Sequence, residues 1–198
     1  MNGWRVFWLL AVVSTTAFYA TIQTFGTDEA GIRALVRVTA RVSFAIFVPV
    51  YLASPLRRLW PNAMTRWTLR NRRYLGVSFA WAHGLHLLAI GMLVVLLGDA
   101  FESDILTIVF GGITYVLMFG MAATSFDRTA RWLGPRRWNQ LHRSGLHMIW
   151  LLFAILWTGR AASWSFYLAL AVVTGGIAGV RIAGNRKRRK ASSRPADS

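Results

Sequence analysis

The chain has no cysteine and only seven acidic residues among its 198 positions. Without cysteine thiolates it cannot hold an iron–sulfur cluster or attach a c-type heme covalently. Few carboxylates also mean few ligands for hard cations such as Mg²⁺ or Ca²⁺. These absences exclude several classes of metalloprotein and leave histidine as the main candidate ligand.

Hydrophobic residues make up 55% of the sequence and are gathered into long runs. A bilayer core about 30 Å thick is crossed by about 20 helical residues. Six runs reach that length, at residues 4–24, 34–53, 74–97, 105–125, 139–158 and 163–182. The sequence therefore predicts an all-α integral membrane protein, with a six-transmembrane-helix bundle in residues 1–182.

The net charge of +16 comes from basic residues that lie between the apolar runs. They are not gathered on one soluble face, so we do not predict nucleic acid as a partner. The predicted partner is the lipid bilayer. Basic residues cluster in segments 54–73, 126–143 and 183–198. By the positive-inside rule these segments and both termini are cytoplasmic. We expect residues 183–198 to be a disordered basic tail against anionic lipid head groups.

Histidine occurs four times, and every copy lies in the third or fifth apolar run, at His83, His86, His142 and His147. An ionisable side chain in hydrocarbon is costly unless it faces protein, water or a ligand. Imidazoles that face one another across an apolar helical bundle are the ligands of a b-type heme. The predicted lining of that pocket is Phe79, Trp81, Trp150 and Phe153.

Arg33, Arg37 and Arg41 recur every four residues and share one face of the second run. Arg33 and Arg37 can extend toward the outer head groups. At 1.5 Å per residue, Arg41 lies roughly 10 Å deep. Our hypothesis is that Arg41 neutralises heme propionates or a quinone oxygen.

Three short motifs resemble the ferric reductase-like transmembrane family over about residues 30–160. They are S-P-L-R-R at 54–58, R-R-Y-L-G at 72–76 with His86 ten residues beyond Gly76, and W-N-Q-L-H at 138–142. Within that family the likeness is to the heme-binding membrane subunits of bacterial methionine sulfoxide reductase systems.

The resemblance implies one b-type heme, or two, between the third and fifth spans of a protein of the bacterial inner membrane. It also implies an electron-transfer subunit rather than a complete enzyme. Electrons would come from a quinol or a cytoplasmic flavin reductase and pass to an acceptor on the outer face, such as a periplasmic oxidoreductase. By position, His86 matches the family's histidine in the third span, and His142 matches the first histidine in the fifth.

The family's second histidine in the fifth span falls 13 residues after the first, where this chain has Ile155. If the spans begin at Arg73 and Trp138, depths at 1.5 Å per residue are about 20 Å for His86, 14 Å for His147 and 6 Å for His142. Two ligands of one iron must lie nearly level, so His147 would pair with His86 or with His83, which is about 15 Å deep. We predict His86 and His147 as the axial pair. His83 is the rival ligand or a propionate hydrogen-bond donor, and His142 a helix cap, a ligand of a second heme or a quinone contact.

A different class of function also fits the histidines. They could bind a bare metal ion or carry protons in a non-heme metal transporter or membrane assembly factor. The sequence leaves this alternative, the electron donor and acceptor, and the number of hemes open.

Overall fold

The computed structural model describes residues 2–162 and 165–192, and within these ranges every regular element is helical. The elements are α1 (Trp4–Phe25), α2 (Glu29–Leu59), α3 (Ala63–Leu97), a 3-10 turn (Gly98–Ala100), α4 (Ile105–Ala123), α5 (Asp127–Leu133), α6 (Pro135–Arg160) and α7 (Ser165–Ser192). The predicted all-α class is confirmed.

Five helices in the described ranges are long and apolar enough to cross a membrane: α1, α2, α3 with its following turn, α4, and α7 as far as Lys187. Large apolar side chains such as Ile105, Val109 and Val116 are exposed along α4, which suits a surface that faces lipid. The molecule is therefore a multi-pass membrane protein. The fifth predicted run lies in α6, which is less apolar because it carries His142, Arg143 and His147.

Capping residues extend α2 and α3 beyond their apolar runs. Asp28 accepts a hydrogen bond from the Gly31 amide at 2.9 Å at the start of α2. Asn62 and Thr65 form a reciprocal capping box, with hydrogen bonds of 2.9 and 3.1 Å, at the start of α3. As a result α3 begins at Ala63, and its first turns carry arginines among apolar residues.

The last helix also runs further than the sequence indicated. We expected a disordered tail from residue 183, but α7 continues to Ser192. Residues 183–192 are therefore helical, and residues 193–198 lie outside the described part of the chain.

Helix α2 lies at the centre of the bundle and packs against α1, α3 and α7. Phe47 of α2 is fully buried, and its ring centroid lies 5.3 Å from that of Phe79 in α3 and 5.7 Å from that of Phe153 in α6. These aromatic contacts join α2, α3 and α6 in one core. They place both histidine-bearing helices against α2.

Candidate functional site

Two of the four histidines lie side by side near the middle of α3. The ring centroids of His83 and His86 are 5.1 Å apart. Nδ1 of His83 lies 3.0 Å from Oγ of Ser43, and Nδ1 of His86 lies 3.0 Å from Oγ1 of Thr39. Both hydroxyls belong to α2, so α2 fixes the orientation of both imidazoles.

The hydroxyl protons determine which ring nitrogen is free. Ser43 donates its proton to the carbonyl of Ala40 at 3.0 Å, and Thr39 donates to the carbonyl of Leu35 at 2.8 Å. With its proton on that carbonyl, each hydroxyl oxygen accepts a hydrogen bond from the imidazole, and this arrangement matches the tautomer of His83 and His86 in which Nδ1 carries the proton. In a neutral ring this leaves Nε2 with a lone pair, which is the form that binds a metal.

His83 is enclosed by aromatic rings. Its ring stacks between Phe79 at 5.2 Å and Tyr115 at 5.0 Å, and the edge of Phe153 lies 5.8 Å away. The residue is 4% exposed. This packing leaves little room for a large ligand beside His83.

His86 is only partly buried. Tyr115 of α4 donates a hydrogen bond to the His83 carbonyl at 3.4 Å, which places Gly111 and Gly112 of the antiparallel α4 near the depth of His86. A Cβ added at either glycine would meet no atom of the described residues within 4 Å. The α4 backbone near His86 is therefore not closely packed.

The two histidines of α6 lie in a different part of the molecule. His142 stacks on Trp138 with ring centroids 4.0 Å apart and donates from Nδ1 to the Trp138 carbonyl at 3.1 Å. His147 is exposed, and its ring lies 6.1 Å from that of Tyr51 in α2. Both line a cavity of about 190 Å³.

That cavity is formed by four helices and is strongly basic. The described residues that line it are Ser54, Pro55, Arg58, Arg72, Trp138, Asn139, His142, Arg143, Leu146, His147, Arg181 and Asn185. Four of these are arginines and none is acidic. We call it the arginine cavity.

The structure does not bring the predicted axial pair together. His147 lies against Tyr51, whereas His86 is hydrogen-bonded to Thr39, twelve residues away along the same helix. At 1.5 Å per residue this separates the two histidines by about 18 Å along α2. Ligands of one iron must be nearly level, so these positions do not suit a shared iron.

Arg41 also lies away from the α3 histidines. It is two residues from both Thr39 and Ser43, which places it on the opposite face of α2. Its guanidinium carbon lies 4.4 Å from the ring centroid of Phe166 in α7 and 5.6 Å from that of Tyr167. The hypothesised contact between Arg41 and a heme held by α3 therefore has no support in this arrangement.

The predicted aromatic lining is half right. Phe79 and Phe153 surround His83, as expected. Trp81 instead is 45% exposed and donates to Thr15 of α1 at 3.2 Å, and Trp150 donates to the Thr174 carbonyl of α7 at 3.0 Å.

Sequence reasoning also missed the α2 hydroxyls and the arginine cavity. The signal for the hydroxyls was the four-residue spacing of Thr39 and Ser43, two polar residues in an apolar run.

The residues of α3 fit one side of a heme. A heme iron binds a neutral imidazole nitrogen with a free lone pair, and the hydrogen bonds of His83 and His86 provide that form. His86 is partly exposed, whereas His83 is enclosed by aromatic rings. At the position where the family has its second histidine, Ile155 is 55% exposed. Neither histidine of α6 lies at the depth of the α3 pair.

Comparison with known proteins gives one consistent group of relatives. The chain is 29% identical over 175 residues to a protein-methionine-sulfoxide reductase heme-binding subunit MsrQ of Cronobacter sakazakii, covering 80% of this chain and 84% of that protein. Proteins with the same description from Ralstonia nicotianae and Azospira oryzae are 33% identical over 146 residues and 38% identical over 114 residues. These alignments cover 69% and 50% of this chain, and 63% and 46% of the relatives. No family model matches the chain, and no solved structure matches it.

Proposed function

We propose that the chain is a member of the MsrQ-like group of heme-binding membrane subunits, that it holds a b-type heme in its helical bundle and that it passes electrons across the membrane. It acts as the electron-transfer subunit of an oxidoreductase rather than as a complete enzyme. The proposed acceptor is a methionine-sulfoxide reductase partner on the outer face. The proposed donor is a quinol or a cytoplasmic flavin reductase, and the proposed location is a bacterial inner membrane.

The observation that carries this proposal is the hydrogen bond between His86 and Thr39. It holds Nδ1 in the protonated form and leaves Nε2 available to iron. His86 is also the less buried of the two α3 histidines. His86 is therefore the residue that would bind the heme iron, with His83 as its enclosed neighbour.

When bound, heme supplies a one-electron carrier that shuttles between ferrous and ferric iron. The chain's own residues position and insulate it. Thr39 sets the tautomer and the orientation of the His86 ring, and Ser43 does the same for His83. Phe47, Phe79 and Phe153 keep water away from the histidines by filling the core between α2, α3 and α6.

The proposal includes six spans with both ends cytoplasmic. Helix α6 has 26 residues, about 39 Å at 1.5 Å per residue, which exceeds a core of about 30 Å. Its buried residues Leu146, Ile149, Phe153 and Trp157 recur every three or four positions, as in a helix with one face in the bundle. Six spans put segments 54–73 and 126–143 on the cytoplasmic side, in agreement with the positive-inside rule.

The rival function, transport of a bare metal ion, has less support. Its site needs several clustered ligands, and residues 2–162 and 165–192 contain no group of three or more His, Cys, Asp or Glu side chains placed to hold a metal. Two histidines on α3 alone are too few for such a site.

The test is the cofactor content of the protein purified in detergent after expression with ample heme. A pyridine hemochrome assay should give b-type heme at about one per chain, reducible by a quinol or by a reduced flavin. A colourless protein that carries another metal would contradict the proposal and favour the transporter.

A further inference from the structure

The arginine cavity brings together positive charges from four separate helices. Arg58 comes from α2, Arg72 from α3, Arg143 from α6 and Arg181 from α7. Such convergence is not a consequence of helix periodicity, because each residue lies on a different element. It requires the packing of the whole bundle.

No acidic side chain compensates this charge. The ion pairs in the described part of the chain join Arg33 to Glu29 and Arg73 to Asp127, and none of these four residues lines the cavity. Four like charges around one space repel one another, and the repulsion is strongest where water is partly excluded. The cavity is therefore suited to an anion.

The polar groups around the cavity are only partly used within the protein. Arg181 donates to the Tyr51 carbonyl at 2.7 Å, but its buried Nε has no acceptor among the described residues. Arg58 donates to the Asn185 side chain at 3.1 Å, and Arg72 donates to Ser54 at a long 3.4 Å. The guanidinium groups thus keep N–H donors available for a ligand.

The size of the cavity limits what the anion can be. Its volume of about 190 Å³ is below the roughly 300–1,000 Å³ typical of pockets that enclose a whole cofactor. A phosphate group fits such a space. A guanidinium group can donate two parallel hydrogen bonds to the oxygens of one phosphate. Pro55, Leu146 and Trp138 add apolar surface beside the arginines.

We propose that the arginine cavity binds the phosphate of an anionic phospholipid head group. Basic pockets between membrane helices on the cytoplasmic side are suited to such head groups. The lipid's glycerol and acyl chains would extend along the apolar surface, while its phosphate lies among the arginines. This site is separate from His86, so it does not depend on the proposed heme function.

The experiment measures thermal unfolding of the full-length protein, purified in detergent and depleted of lipid. It is titrated with dioleoylphosphatidylglycerol, with dioleoylphosphatidylcholine or with inorganic phosphate. Phosphatidylglycerol should raise the unfolding temperature in a saturable way, and phosphatidylcholine should raise it much less. Arg143→Gln and Arg72→Gln should each increase the half-saturating lipid concentration about fivefold, as expected for the loss of one basic contact.

Arg143 is the main variant because it is exposed and makes no hydrogen bond or ion pair within the described ranges, so its replacement should leave the fold intact. The matched control is Arg70→Gln, which removes the same charge from an exposed position on α3 outside the cavity. Arg70→Gln should respond to the lipid as the wild type does. The proposed site would be overturned if the two lipids raised the unfolding temperature equally. It would also be overturned if Arg70→Gln increased the half-saturating lipid concentration as much as Arg143→Gln does. A full response to inorganic phosphate with none to phosphatidylglycerol would overturn the lipid assignment.

Discussion

Oγ of Ser43 in α2 lies 3.0 Å from Nδ1 of His83 in α3, and its own proton is directed at the carbonyl of Ala40. One turn earlier, Thr39 repeats the arrangement with His86. The two hydroxyls therefore favour one tautomer of the buried His83 and of the partly buried His86. Heme binding would depend on this tautomer, which is set by α2, a helix that contains no histidine.

Replacing Thr39 by valine tests this role. The variant keeps the shape of the side chain but removes the acceptor for the Nδ1 proton of His86. Loss of such a partner typically weakens metal binding 10-fold to 100-fold. We expect Thr39→Val to retain heme less well and to shift its midpoint potential, as measured by redox titration.

The matched control for that variant is Thr21→Val. Thr21 is also buried and also donates to a carbonyl one turn back, that of Ala17, but it lies on α1 and contacts no histidine. It should keep the wild-type heme content and potential. An unchanged potential in Thr39→Val would remove the positioning role of the hydroxyl.

Arg41 is expected to contribute to packing and not to the heme. Arg41→Leu should keep full heme content and an unchanged midpoint potential, because Arg41 faces away from the α3 histidines. It should lower thermal stability, since a cation over an aromatic ring contributes about 0.5–2 kcal/mol and its guanidinium lies over Phe166. Arg37→Leu, an exposed position one turn away, is the control. Loss of heme from Arg41→Leu alone would restore the propionate hypothesis.

Gly184 of α7 lies in close contact with Pro55 of α2. A Cβ at this position would lie 2.7 Å from Cβ and 2.9 Å from Cα of Pro55, which is a rigid neighbour. Gly184→Ala should therefore push α7 outward and destabilise the protein by about 1–3 kcal/mol. Thermal unfolding in detergent measures the effect.

The control for Gly184 lies on the same helix. Gly179→Ala adds a Cβ that meets no described atom within 4 Å, so the better helix propensity of alanine should leave stability unchanged or slightly higher. Equal losses in the two variants would show that the α7–α2 contact is not as close as the structure places it.

The sequence located the six long helices in the described part of the chain but neither the short helix α5 nor the relative depths of the helices. Apolar runs located the helices, because a membrane span requires about 20 apolar residues. They did not locate the ends, since α2 and α3 continue through polar and arginine-rich turns and are capped by Asp28 and Asn62. Starting α3 at Arg73 assumed a boundary that the helix does not have.

The sequence identified the histidines of the candidate site but not how they are arranged in space. The four histidines were identifiable because ionisable groups are rare in apolar runs. Their pairing was not, because the depth of His86 relative to His147 depends on how α3 and α6 each pack on α2. The same packing brings Arg58, Arg72, Arg143 and Arg181 together, so the arginine cavity was also hidden from the sequence.

The most direct measurement is the reduced-minus-oxidised absorption spectrum of the purified protein, compared among wild type, His86→Ala and His147→Ala. The account predicts a Soret band with α and β bands in the wild type. These bands should be lost in His86→Ala and kept in His147→Ala, because His147 lies about 18 Å away along α2. Loss of the bands in His147→Ala with retention in His86→Ala would contradict the assignment of His86, and a colourless wild type would contradict heme binding itself.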